Sequence, residues 1–369
     1  MIELILAVAL GFALTYAGTP YAMRYLMDSG IYGKDQQKHE KPKIPSSGGV
    51  VVFFGFMVSV TFYLGALSFT SPGNTMIPEL LAALASVSII SLIGFIDDIH
   101  IDIEEYAAEE LGMKKADDKE TNKETDQGRK FFFMDILPEK DSEVHRKGLD
   151  QLPKMLFVLP AVFPLMAVRA GSWTMHFPVI GTVNWGLIYP FVLLPLGLLF
   201  VSNVVNMLAG TNGLSGAMSA VAAFFLGLFT FINGSVEASI IAFSLFGALL
   251  AFLRYNFYPA SILPGDSMTY LAGAALFSTI VIGDVEKFGV FIFTPWLIEF
   301  MLKLRSGFNA HSWGIIQENG KLEPQYEKTY SLTHPLMRRG LTEKQITLTL
   351  AGTETLICIT GIILFSTVL

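Results

Sequence analysis

The chain has 369 residues, of which 52% are hydrophobic and only 15% charged, and its formal net charge is −7. A water-soluble domain of this length carries nearer a quarter charged residues, which excludes an ordinary soluble core. The negative balance falls mostly in one hydrophilic stretch, so nothing in the charge points to a nucleic-acid partner.

Apolar runs of a length that crosses the hydrocarbon core recur along the chain. They predict an all-α polytopic membrane protein with ten helices, roughly at 2–23, 49–70, 77–96, 153–170, 186–202, 214–232, 236–253, 267–283, 288–302 and 345–368. The first run lacks a charged leader region and is too long for the apolar part of a cleaved signal, so it is read as a helix. After the third run comes a hydrophilic insert, 99–148. Within it "EEYAAEELGMKK" has acids early and lysines late, as a short helix favours. The following "KADDKETNKETDQGRK" is too poor in apolar residues to pack and reads as disordered. Before the last run, Thr342 and Gln345 have the spacing of a capping box. The lone cysteine, Cys358, can form no internal disulfide.

Lys and Arg set the orientation. If loops alternate sides, one set is 24–48, 97–152, 203–213, 254–266 and 303–344. With Lys154 counted at its edge, that set holds all but Arg169 and Lys287 of the 25 basic residues. This places that face in the cytoplasm and both termini outside, in a single membrane-embedded domain spanning 1–369. The setting expected is a multi-pass protein of the cell membrane.

The polar clusters at the membrane edge lie on the same face. "GFIDDIH" ends the third run with Asp97 and Asp98, Lys154 opens the fourth, "SNVVNMLAGTNGL" follows the fifth, and "YNFYPASILPGDSM" brings Asp266 to the start of the eighth. Each has an ordinary alternative. The Asp pair could stop a helix at the headgroups, Asp266 could be an N-cap, the asparagines could join helices, and Lys154 could snorkel. All of these would have to hold on one face, whereas polar groups at lipid depth are functional by default. Two acids at a helix C-terminus also oppose its dipole and call for a positive partner.

The residue types suit pyrophosphate chemistry. Asn203 and Asn206 are three apart and share a helix face. Asp266 offers an anionic oxygen and Asn206 an amide oxygen, a sparse hard set that suits Mg²⁺ completed by phosphate and water oxygens. No Cys/His set favours zinc. Lys154 would bring a point charge to a phosphate. Gly210 and Gly213 would let backbone approach a flat ring or a phosphate. Asn212 carries both the donor and the acceptor needed for a base edge.

At these residues the sequence resembles the polyprenyl-phosphate N-acetylhexosamine-1-phosphate transferase superfamily. The segments that carry the resemblance are "KIPSSGGV" (43–50), "GFIDD" (94–98), "NVVNMLAGTNGL" (203–214), "RYNFYPASILPGDSMTYLAG" (254–273) and "NGKLEPQY" (319–326). Ala209-Gly210 is similar to the dolichol branch and to an archaeal-type member, where bacterial relatives usually have Asp-Gly. The resemblance implies transfer of N-acetylglucosamine-1-phosphate from UDP-N-acetylglucosamine to a polyprenyl or dolichyl phosphate in the bilayer, with Mg²⁺ as cofactor and Mn²⁺ as an alternative. It implies Asn206 and Asp266 as metal ligands, with Asp97, Asp98 and Lys154 beside the reacting phosphates. Gly210 and Asn212 would hold uracil, Asn203 would support the substrate, and Ser46 and Ser47 would flank the nucleotide. Homodimerisation is left open.

Two features depart from the family pattern. The insert 99–148 separates the Asp pair from Lys154. The loop after the ninth run, "KLRSGFNAHSWGII", replaces an Arg/His-rich stretch, so Arg305 and His311 are carried over as sugar or phosphate contacts on a reduced basic set. His334, Arg338 and Arg339 in "HPLMRRGLTEKQ" read as membrane-surface charges. Two other readings stand beside this one. One is a bacterial-type undecaprenyl-phosphate or muramyl transferase, against which the missing His-His-His run counts. The other is a multi-helix transporter, whose polar residues would sit near the midplane in inverted repeats.

Overall fold

A computed structural model describes residues 1–70, 77–99, 156–177 and 181–366. The expected insert beyond Ile99, and Lys154 with it, lies outside the described residues.

The chain opens with α1 (Ile2–Asp28), α2 (Gly49–Thr70) and α3 (Ile77–Asp98). A 3₁₀ turn (Leu159–Val162) leads into the short α4 (Phe163–Ala167). A π turn over Tyr189–Leu193 continues into α5 (Leu194–Met207), followed by α6 (Leu214–Ile232), α7 (Val236–Asn256) and α8 (Gly265–Ile282). Last come α9 (Glu286–Ile292), α10 (Thr294–Leu304), α11 (Thr333–Arg338) and α12 (Glu343–Ser366). Among the described residues, three two-stranded antiparallel hairpins decorate the loops: β1–β2 (Tyr32–Lys34 with Lys43–Pro45), β3–β4 (Thr174–Phe177 with Gly181–Asn184) and β5–β6 (Gly314–Ile316 with Leu322–Pro324).

Among the described residues eight helices are long and apolar enough to cross a membrane. The chain is thus a mostly helical, multi-pass membrane protein. The other two expected runs are interrupted, each for a reason visible in the chain. In 153–170 the described part holds Pro160 and Pro164, each in the first turn of a short element. Run 288–302 breaks at Phe293 between α9 and α10, because Pro295 has no N–H to continue the ladder. The carbonyl of Phe291 that such an N–H would have met accepts the Thr294 hydroxyl at 2.5 Å instead.

Helix α8 is the axis of the bundle: every residue from Ser267 to Val281 is buried. Against lipid, apolar burial gives little drive for helix association, so close backbone approach through small residues matters. A Cβ on Gly94 of α3 would stand 2.7 Å from the carbonyl oxygen of Asp266. That contact brings the acidic end of α3 against the first turn of α8.

Candidate active site

One end of the bundle collects the polar loops, and hydrogen bonds tie them together. The β1–β2 hairpin meets the loop between α5 and α6 through Gln37 Nε2, which donates to the carbonyl of Gly210. Lys38 bonds Glu343 at the start of α12 at 2.5 Å. The Gly48 and Gly49 N–H groups donate to the carbonyls of Leu263 and Pro264, just before α8. Ser312, in the loop after α10, donates to the carbonyl of Met207 at 3.1 Å.

The loop from Leu208 to Gly213 separates two cavities. The larger, of about 520 Å³, is lined by Asn203, Asn206, Tyr270, Lys303 and His311 among others. The smaller, of about 120 Å³, is lined by Asp35, Gln37, Asn212 and Asn256 among others. Gly210 and Trp313 border both. The shared face expected for Asn203 and Asn206 thus opens on the larger cavity. Asn203 donates its amide to the Leu199 carbonyl at 2.8 Å, which fixes its rotamer.

Gly210 is close to something other than a ligand. A Cβ there would lie 2.5 Å from the carbonyl oxygen of Ser312, so the glycine lets the loop after α10 pack directly on the 208–213 loop. Gly210 also borders both cavities, so this protein contact stands beside the expected approach of a ligand.

Asn212 is buried and held from three sides. Its Nδ2 donates to Asp35 Oδ2 at 2.9 Å. Its backbone N–H donates to Glu343 Oε1 at 2.8 Å, and its carbonyl accepts the Thr347 hydroxyl at 3.1 Å. Lys38 lies 3.2 Å from Asp35, so one ammonium bridges both acids. Asp35, Gln37, Lys38 and Glu343 were missed from sequence. Charged loop residues usually face water, and these partners lie far apart in the chain.

Asp98 proves to be a helix cap. Its Oδ1 accepts the Asp266 N–H at 2.7 Å, and its Oδ2 accepts the Ser267 N–H at 3.0 Å and the Ser47 hydroxyl at 2.9 Å. The Ser47 and Ser267 hydroxyls lie 3.1 Å apart. Helix α8 has no side-chain cap of its own, so the alternative of Asp266 as N-cap does not hold. The positive partner demanded by the acid at the end of α3 is the N-terminus of α8, whose free N–H groups attract a carboxylate. Asp97 and Asp266 share this crossing. Asp266 is one turn from Tyr270, which lines the larger cavity, and shares its helix face, while Asp266 itself borders neither cavity.

Ser47 is therefore buried in the scaffold, and Ser46 uses its N–H on the Ile31 carbonyl. Neither serine borders the two cavities. Arg305 is exposed, 3.5 Å from the Thr329 carbonyl, and also stands away from them.

His311 stacks on Trp313, with ring centroids 3.9 Å apart. Partial burial, then the nearby Lys303 ammonium, lower its pKa below the ordinary imidazole value and favour the neutral ring. His334, expected as a surface charge, is instead fully buried. Its Nδ1 accepts the Tyr330 N–H at 3.3 Å, so Nε2 carries the proton given to the His311 carbonyl at 3.0 Å. Burial is the main cause that lowers its pKa, with Lys303 and Arg338 adding to it. Arg338 is likewise turned onto the loop, bonding the Glu327 carbonyl at 2.6 Å. Glu299 was also missed: fully buried, it accepts the Leu332 N–H at 2.7 Å and the Ser331 hydroxyl at 3.1 Å, and so anchors the loop that carries His311.

Comparison with known proteins gives the family of the chain. The model of the glycosyl transferase family 4 matches residues 80–284, more than half of the chain. A protein of Saccharolobus solfataricus, provisionally named UDP-N-acetylglucosamine–dolichyl-phosphate N-acetylglucosaminephosphotransferase, is 28% identical over 100% of this chain and 98% of its own length. The enzyme of that name from Dictyostelium discoideum is 24% identical over 90% of this chain and 81% of its own. A phospho-N-acetylmuramoyl-pentapeptide-transferase of Prochlorococcus marinus is 26% identical, over 63% of this chain and 67% of its own. With its matched region running from α3 through α8, across the acidic crossing and the 208–213 loop, the chain belongs to the glycosyl transferase family 4.

Proposed function

We propose that this chain transfers N-acetylglucosamine-1-phosphate from UDP-N-acetylglucosamine to a polyprenyl phosphate of the dolichyl type, releasing UMP. The observation that carries the reading is the paired cavity around the 208–213 loop, with Asn203 and Asn206 on one side and Asn212 on the other. A sugar nucleotide has the same division: a base that needs an amide edge and a pyrophosphate-sugar that needs a larger polar space. The full-length match to relatives named for this reaction supports the same assignment.

In the proposed reaction a phosphate oxygen of the lipid attacks the β-phosphorus of the sugar nucleotide. The bond from that phosphorus to the bridging oxygen breaks, and the oxygen leaves on UMP. The acceptor phosphate is largely ionised near neutral pH, its second pKa being about 6, so no strong general base is needed. Asp98 is occupied by three donors and acts by positioning α8. Asp97 is then the α3 acid assigned to the phosphates, with Lys154 supplying a counter-charge. His311, neutral and stacked on Trp313, is assigned to the sugar.

The chemistry of one carboxylate and one amide oxygen suits Mg²⁺. Among the described residues no three His, Cys, Asp or Glu side chains form a cage. A cation that keeps waters and binds through substrate phosphates needs none, and Asp266 with Asn206 would hold it. When bound, such an ion neutralises pyrophosphate charge and stabilises the leaving UMP.

The loops rich in Lys and Arg support a site on the cytoplasmic face of the cell membrane, with both termini outside. The test is release of UMP by purified protein in detergent, where no compartment exists. Release that requires both UDP-N-acetylglucosamine and the lipid phosphate supports the transferase. Absence of release from a folded protein that binds the nucleotide favours a transporter.

A further inference from the structure

We propose that Asp35 makes this site choose uracil over cytosine by locking the Asn212 amide in one of its two orientations. The inference rests on the proposed role of Asn212 toward the base.

An asparagine amide presents an acceptor, Oδ1, beside a donor, Nδ2. Turning it by half a revolution exchanges the two, and free amides take whichever order suits their neighbours. Uracil and cytosine differ in this order. Uracil offers a ring N–H next to a carbonyl oxygen, whereas cytosine offers a bare ring nitrogen next to an exocyclic amine. An amide that can turn therefore serves either base.

Asn212 cannot turn freely. Its Nδ2 lies 2.9 Å from Asp35 Oδ2. An ionised carboxylate has only acceptors, so the opposite orientation would set Oδ1 against it. The carboxylate is itself held, by the Lys38 ammonium at 3.2 Å, and is only 5% exposed. The backbone of Asn212 is fixed as well, by Glu343 and Thr347. Both Asp35 and Asn212 line the smaller cavity. With Nδ2 committed toward Asp35, Oδ1 is the atom left to meet the ring position of a bound base. It accepts the uracil N–H and opposes the lone pair of the cytosine ring nitrogen. Asp35 touches no substrate in this account. It is a positioning residue, and its signature is selectivity between bases.

The experiment measures binding of UDP and CDP by the purified full chain, as wild type and as Asp35→Asn. Wild type should prefer UDP by roughly ten- to a hundredfold, the cost of facing two acceptors in a buried site. Asp35→Asn can accept or donate, so it releases the amide, and the preference should shrink to within about threefold. Asp35→Glu, which keeps the carboxylate, should retain the preference. Asp35→Ser replaces Asp35→Asn if the latter does not melt cooperatively. Equal binding of the two nucleotides by wild type overturns the inference. So does an Asp35→Asn protein that binds UDP with its preference intact, which leaves the functional reading standing. Binding of neither nucleotide by wild type overturns that reading, and the inference with it.

Discussion

Asp98 Oδ2 accepts the backbone N–H of Ser267 at 3.0 Å, so the acid that ends α3 is the cap that begins α8. The same carboxylate reaches the Asp266 N–H and the Ser47 hydroxyl. Three chain segments, 43–50, 94–98 and 265–267, are thereby fixed at one point. Of the two acids of "GFIDD", Asp98 holds the scaffold, and Asp97 is the one proposed for the phosphates.

Replacing Asp98 with Asn tests this division. The amide would turn an NH₂ toward backbone donors and leave one of them unsatisfied. The expected loss is about 1–3 kcal/mol of stability. A lowered melting temperature of the detergent-solubilised protein reads it, and an unchanged melting curve would refute the capping role.

Asp266→Asn tests the metal assignment. The Asp266 N–H makes the contact with Asp98, and the substitution leaves that N–H in place. Turnover should fall by about two decades or more, equivalent to ~3 kcal/mol of transition-state stabilisation. Asn206→Ala should act similarly and less severely. Near wild-type turnover of Asp266→Asn at saturating Mg²⁺ would remove the metal assignment.

Lys38→Met should weaken nucleotide binding without touching either cavity's larger lining residues. It leaves Asp35 and Glu343, both nearly buried, without the cation between them. Charge-assisted bonds of this kind contribute about 1.5–3 kcal/mol. Titration with UDP should show the loss together with a lower melting temperature. Unaltered affinity would show that the clamp on Asn212 does not depend on Lys38.

The buried His334 gives a pH dependence with a definite sign. Its folded-state pKa lies below the ordinary value, chiefly through burial, so the unfolded state binds more protons in the interval between the two. Stability then rises with pH through that interval and is lost as pH falls below about 6.5, the ordinary imidazole value. Melting curves from pH 7.5 down to 5.5 should show the decline, and His334→Asn should flatten it. A His334→Asn protein with the full wild-type decline would assign the effect elsewhere.

Much of the fold was legible because a membrane helix needs a long apolar run and little else. Runs such as 49–70 and 214–232 match the observed helices residue for residue. The exceptions are local. Pro295 divides one run within a stretch whose hydropathy hides the break. The capping box at Thr342 and Gln345 is present, with Oε1 of Gln345 accepting the Thr342 N–H at 2.9 Å. The convergence of the polar loops could be inferred from their shared face, but their internal bonds could not. Gln37 and Gly210, or Lys38 and Glu343, carry no pairing signal in a single sequence. His334 was misread because a histidine beside two arginines looks like a surface charge, and only packing reveals its satisfied neutral ring.

The central claim is which bond breaks, and isotopic label follows it directly. Purified protein is given the lipid phosphate with UDP-N-acetylglucosamine labelled at the α- or the β-phosphorus. The account predicts that the β label moves to the lipid and the α label leaves on UMP. Recovery of both labels on UDP, with the sugar alone on the lipid, would contradict it.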